Sequence, residues 1–141
     1  IDYEGYISLD LSDPGDRVCG IRHLSAVDML ATKLMANSDR LFADETRNRD
    51  VIDMAMMRPS AHLAAAASQK VLKTVYKNDF VPNLHKAIIR VRERDGWLDT
   101  CMSDMKIVAP KAEVLRNLEL LQSVFWTSTP PPPGSRTRLA P

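Results

Sequence analysis

The sequence predicts a mainly α fold, a helical bundle that follows one N-terminal β-strand. Three observations lead there. Leu, Ala and Met are plentiful while aromatic residues make up only 6% of the 141 residues, and small or unbranched side chains favour helices over strands. Apolar residues recur at helical spacing in successive segments from Val27 to Phe125, each bounded by a cap or a breaker. Only the opening stretch, Ile1 to Leu11, alternates apolar and polar residues as a half-buried strand does. A chain of this length supports one core, and its 45% hydrophobic and 26% charged residues are ordinary globular values.

Nineteen Lys and Arg against eighteen Asp and Glu leave a formal net charge of +1, so no global field draws the chain to nucleic acid or an anionic membrane. No apolar run approaches the roughly 20 residues of a membrane span. The start lacks a basic region followed by an apolar one, and the expected location is the cytoplasm. Cys19 and Cys101 have neither zinc-site spacing nor the numbers of a disulfide framework, which predicts buried free thiols.

A lone strand is unstable, so the sequence predicts that the rest of its sheet is encoded upstream and that residues 1–20 are a strand remnant and turn of an upstream domain. Pro14-Gly15 makes the turn. Residues 21–126 then form a helical domain. Ser25, with Asp28 three positions on, caps a first helix through Val27, Leu30, Ala31, Leu34 and Met35 that ends near Ser38. A polar stretch from Asp39 to Asn48 reads as a loop. A second helix carries Val51, Ile52, Ala55 and Met56 until Pro59 stops it, and Ser60 caps a third running to Tyr76. Pro82 lies in the first turn of a fourth, Gly96 breaks the chain before a short helix at Trp97 to Met105, and Pro110 opens the last, with Val114, Leu115, Leu118, Leu121 and Phe125 inward. The Pro-rich segment 127–141 has too little apolar surface to offset its chain entropy and is expected to be disordered.

Polar residues that could carry chemistry concentrate at the first two helices. Lys33, Asn37 and Arg40 can share one helix face, and Asp50 and Asp53 are neighbours on the next, with Arg49 at its start. A Lys on an apolar helix suits a phosphate as a point charge, and an Arg fork suits phosphate or carboxylate. The same residues also suit plain interhelix ion pairs, and spacing does not choose between the two readings.

The run Leu30-Ala-Thr-Lys33-Leu-Met-Ala36-Asn-Ser-Asp39-Arg40, followed by Arg49-Asp50-Val-Ile-Asp53-Met54-Ala55-Met56-Met57, resembles the fourth motif of the nucleotidyl transferase AbiEii/AbiGii toxin family. Glu4-Gly-Tyr-Ile-Ser-Leu resembles the strand that leads into it, and Arg92-Glu-Arg-Asp-Gly-Trp97-Leu resembles the family's C-terminal helical part, so the resemblance covers about residues 1 to 125. It implies the C-terminal part of a two-part, polymerase-β-like nucleotidyltransferase, the toxin of a toxin-antitoxin or phage-defence pair. It also implies Mg2+ and a nucleoside triphosphate in the full-length protein, and as partners an upstream nucleotidyltransferase domain, an antitoxin and an RNA acceptor. By position Lys33 would contact the triphosphate, Arg49, Asp50 and Asp53 would shape the nucleotide-facing wall, and Arg40 is a further nucleotide-binding candidate. The Gly-rich turn and paired acidic residues that hold metal in such folds are absent here, which predicts that the chain alone is inactive.

Other signals are assigned less. His23, His62 and His85 have no ligand spacing. Trp97 and Trp126 are expected to pack between helices, the methionines to fill core, and the Lys86 to Arg94 stripe, interrupted by Glu93, to be a solvated helix face. The competing functional class is a noncatalytic helical protein-interaction module in which the charges of the first two helices serve only structure.

Overall fold

A computed structural model describes residues 25–128 continuously and the backbone of residues 17–18 and 21–22. The expected strand at 1–11, Cys19, His23 and the segment from 129 onward lie outside the described residues. Two short strands, β1 (Arg17–Val18) and β2 (Ile21–Arg22), pair antiparallel with Val18 opposite Ile21. Six helices follow, so the fold is mainly α.

Helix α1 (Ala26–Arg40) begins where the Ser25 hydroxyl accepts the Asp28 N–H at 3.2 Å, one half of a capping box. The Asp28 carboxylate is fully buried and receives Lys70 Nζ at 2.5 Å, tying α1 to the last turn of α3. Helix α1 runs past Ser38 to Arg40, because Arg40 is held by a carboxylate on the next helix. A 3-10 turn at Asp44–Thr46 lies within the connection to α2 (Arg49–Met57). That helix ends at Arg58, whose φ of 46° is left-handed, immediately before Pro59. Ser60 caps α3 (Ala61–Val71) by accepting the Leu63 N–H at 3.0 Å. The sequence suggests a helix as far as Tyr76, but α3 stops at Val71, where Thr74 turns its hydroxyl back onto the Val71 carbonyl at 2.7 Å.

Helix α4 (Phe80–Glu93) carries Pro82 in its first turn, where no intrahelical N–H is missed. Gly96, at φ 67°, separates it from α5 (Trp97–Asp104). Helix α6 (Lys111–Ser128) completes the bundle, and Thr127 and Ser128, expected within the disordered tail, instead form its final turn.

Leu30, Leu34, Ile52, Met54, Leu84, Ile88, Leu118 and Phe125 fill a single core. Helix α1 packs on α2, α3 and α4, and α6 closes the other side against the same three. Ala64 and Ala67 leave α3 slim enough to fit between α1 and α6. Helices α4 and α6 run antiparallel: His85 meets Trp126 at one end of their contact and Arg92 meets Glu119 at the other. Cys101 is buried as a free thiol whose pKa is pushed up to about 11, chiefly by burial, so it is inert filler. Trp97 is buried as expected. Trp126 is not: 65% of it is exposed, with the His85 ring against it edge-on at 5.6 Å.

Two predictions follow from this core. Leu34→Ala removes a fully buried side chain at the centre of α1 and should cost about 3 kcal/mol in urea unfolding. The nitrogens of His85 are buried without a hydrogen-bond partner among the described residues, and burial lowers its pKa. The unfolded chain then binds that proton more readily than the folded one, so this contribution to stability is complete above about pH 6.5 and is lost as pH falls below it. The urea midpoint should drop between about pH 7 and pH 5, and His85→Leu should flatten that drop.

Candidate functional site

The connection between α1 and α2 sets the site. Arg47 and Asn48 both take left-handed backbone, at φ 54° and 50°, an uncommon conformation that Asn tolerates better than Arg. What holds it is the Asn48 side chain. Its Nδ2 donates to the Leu41 carbonyl at 2.9 Å and its Oδ1 accepts Trp97 Nε1–H at 2.8 Å, both in buried surroundings. The two ends of the connection are thus tied to each other and to α5. Helix α2 starts at the next residue, which points Asp50 in its first turn back toward α1, where a carboxylate also suits the helix N-terminus.

Asp50 is the central charge, with only 6% of its side chain exposed. Arg40 Nη2 donates to both its oxygens, at 2.8 and 2.9 Å, and Arg40 Nε donates to Oδ2 at 3.2 Å. Lys33 Nζ lies 3.4 Å from Asp50 Oδ1 and 2.7 Å from Asp53 Oδ2, bridging both carboxylates of α2 from α1. Burial, the largest single influence on Lys33, pulls its pKa down. The hydrogen bond to Asp53 and the charges of Asp53 and Asp50 together outweigh it, so the pKa is raised and the amine stays protonated.

These groups line an open pocket of about 440 Å³ formed by Lys33, Arg40, Glu45, Thr46, Arg49, Asp50 and Asp53. All five residues singled out in the sequence are brought together there. Asn37, expected on the same face of α1 as Lys33 and Arg40, is instead buried beneath, and its Nδ2 has no hydrogen-bond partner among the described residues. Glu45 and Thr46 are additions that sequence reasoning missed, since they belong to a polar stretch legible only as a loop. Three cations and three carboxylates make the lining neutral. Arg49 is exposed at the rim, and among the described residues no ion pair engages it. The interhelix ion pairs weighed as the alternative reading are therefore present at Lys33 and Arg40, and Arg49 stands outside them.

Magnesium does not fit these carboxylates. Both oxygens of Asp50 and Oδ2 of Asp53 already face cations, and no group of three or more His, Cys, Asp or Glu residues suited to a metal occurs among the described residues. Among the described residues Arg49 is the lining cation outside these ion pairs, and its fork suits an anion.

The basic stripe of α4 is less solvated than its sequence suggests. Arg90 and Arg94 converge on Asp44, Arg94 Nη1 at 2.9 Å, and Arg94 lies over the Trp97 ring at 4.2 Å. The hydrogen bond from Arg94 lowers the Asp44 pKa most; desolvation opposes it, and the charge of Arg94 together with the hydrogen bond and charge of Arg90 keeps the net shift downward.

Fold and pocket define a helical bundle that presents an open, polyionic recess between its first two helices. The family described as nucleotidyl transferase AbiEii toxin, type IV TA system, matches residues 3–116, and the chain belongs to it. No curated protein and no solved structure matches the chain. No helix among the described residues is long and apolar enough to cross a membrane.

The two carboxylates of the pocket should separate cleanly on mutation. Asp50→Ala strips Arg40 and Lys33 of a buried partner and is expected to cost about 2–4 kcal/mol. Asp53, with 40% of its side chain exposed, should cost under about 1 kcal/mol as Asp53→Asn. Urea denaturation of the two variants side by side checks the difference.

Proposed function

We propose that this chain is the C-terminal helical part of an AbiEii-type nucleotidyltransferase toxin, and that the recess between α1 and α2 takes the phosphates of a nucleoside triphosphate. The observation that carries the reading is the convergence of Lys33, Arg40, Arg49, Asp50 and Asp53 on one open pocket, with Arg49 at its rim outside the ion pairs. A phosphate entering there meets Arg49 first, through a planar fork that matches its oxygens. Lys33 then has a low-cost exchange available. Asp53 is well exposed and can be rehydrated when the amine turns toward the incoming anion. Asp50 and Arg40 do not take part in the exchange, because the buried carboxylate needs its guanidinium. They hold α1 and α2 at the spacing the anion requires.

The residues described here supply binding and orientation only. Carboxylates that hold Mg2+ belong, on this reading, to an upstream nucleotidyltransferase domain, and the chain alone is inactive. An antitoxin partner follows from the toxin-antitoxin family, and an RNA acceptor and a cytoplasmic setting complete the reading as expectations of it. Against it stands the noncatalytic interaction module, favoured by the fact that Lys33 is already engaged by Asp53 and Asp50.

Calorimetric titration with each ribonucleoside triphosphate and magnesium, on this chain alone and on the chain joined to its upstream region, decides between them. The joined protein should bind, and Lys33→Ala and Arg49→Ala should each weaken binding by roughly tenfold, with the thermal transition unchanged in Arg49→Ala and lowered but still cooperative in Lys33→Ala, which loses its pairs with Asp50 and Asp53. Equal affinity in both variants, or no binding by the joined protein, sinks the phosphate role.

A further inference from the structure

The connection that lines one side of the recess also carries an exposed aromatic ring. Phe42 is 68% exposed and sits on the same connection as the pocket residues Glu45 and Thr46. One guanidinium is already placed against it: Arg90 Cζ lies 5.7 Å from the Phe42 centroid and 5.7 Å from the Trp97 centroid. Arg90 Nε is buried and has no hydrogen-bond partner among the described residues, with both rings beside its guanidinium. Around the same tryptophan stand Arg94, at 4.2 Å, and Arg47, at 5.6 Å. Asp44 accepts from Arg90 and Arg94, which fixes their side chains but neutralises only one charge of the three.

We infer that Phe42, with Arg47, Arg90 and Arg94, forms a docking platform for single-stranded RNA at the edge of the nucleotide pocket. The inference rests on the reading of the chain as part of an RNA-modifying nucleotidyltransferase and adds the surface that holds the acceptor. Single strands are taken up by aromatic rings on which bases stack, set among cations that track the phosphates, and both components are present within one cluster. An apolar partner protein would be matched to the ring, but Arg47, Arg90 and Arg94 gathered in one cluster favour a polyanion, with Asp44 between two of them and Asp99 and Asp104 on the far side of Arg47. Duplex RNA fits worse, because its stacked bases offer no free face to the ring. Position supports the assignment as well. Phe42 and the pocket residues Glu45 and Thr46 belong to one short connection whose ends Asn48 clamps. A strand stacked on Phe42 is thereby anchored next to the recess rather than across the bundle.

The test is titration of a labelled single-stranded RNA oligonucleotide, and of a duplex of the same length, into this chain and into the chain joined to its upstream region. Phe42→Ala should weaken single-strand binding by roughly tenfold while Phe42→Trp retains it. Arg94→Gln should lower the dependence of affinity on salt by about one phosphate contact. Wild-type affinity in Phe42→Ala, or equal loss in Phe42→Ala and Phe42→Trp, overturns the platform, as does a preference for duplex. Loss limited to binding of a protein partner, with RNA affinity intact, overturns it in favour of a protein-docking surface. Triphosphate titration of the same samples reports on the pocket separately: failure there with stacking-dependent RNA binding intact would remove the pocket reading and leave the platform standing.

Discussion

The Asp50 carboxylate is the constraint around which the first half of the molecule is arranged. It is all but removed from water, and a buried anion without partners would cost several kcal/mol, on the order of a large share of a small domain's net stability. The fold meets that cost from two directions. Arg40 closes over it with three hydrogen bonds from the last turn of α1, and Lys33 reaches it from two turns earlier. Both partners sit on one helix, so the pairing fixes the rotation of α1 as well as its distance from α2. The length of α1 follows too, since a helix ending at Ser38 would leave Arg40 without a defined position.

The two basic residues are not equivalent in this arrangement. Arg40 makes a forked contact that depends on planarity, and its partner cannot be rehydrated without opening the helix pair. Lys33 is a point charge shared between a buried carboxylate and an exposed one. It can exchange an exposed partner for another anion at little expense, whereas Arg40 cannot. On the proposed reading, a neutral lining built this way separates the cation that organises from the cation that binds. Arg49 extends the second role, being next to Asp50 in sequence yet on the solvent side of the helix start.

Much of this was legible in the sequence, for identifiable reasons. Ser25 and Ser60 are caps whose hydroxyls do what their spacing suggests, and Pro59, Gly96 and Pro110 punctuate the chain where helices end or begin. Lys33, Arg40, Arg49, Asp50 and Asp53 are legible as a cluster because their spacing sets them on facing ends of two consecutive helices, but spacing does not say whether they pair with one another or meet an anion. The spacing that lets Asn37 share a face with Lys33 and Arg40 does not foresee its burial, because i, i+4 spacing gives a direction along a helix but not the depth at which a neighbouring helix covers it. Trp126 was misread for the converse reason: apolar neighbours such as Phe125 turn inward, and the adjacent position must then turn out. Glu45 and Thr46 could not be found by periodicity, since their placement depends on a loop conformation set from a distance.

That distance is the remaining point of physical interest. Two consecutive left-handed residues are not stable on local grounds, so the conformation of Arg47 and Asn48 has to be imposed. The amide of Asn48 imposes it, and it does so through a tryptophan almost fifty residues later in the chain. The same indole ring carries Arg94 and Arg47 on or near its faces and stands next to Arg90, which touches Phe42. Trp97 therefore supports two things at once: its N–H sets where α2 begins and so aims Asp50 and Arg49 at the recess, while its π surface gathers the arginines beside Phe42. A smaller residue at that position would lose the hydrogen bond, the ring and the packing together. The recess and the platform consequently share one buried support, and the geometry that fixes one relative to α5 fixes the other with it.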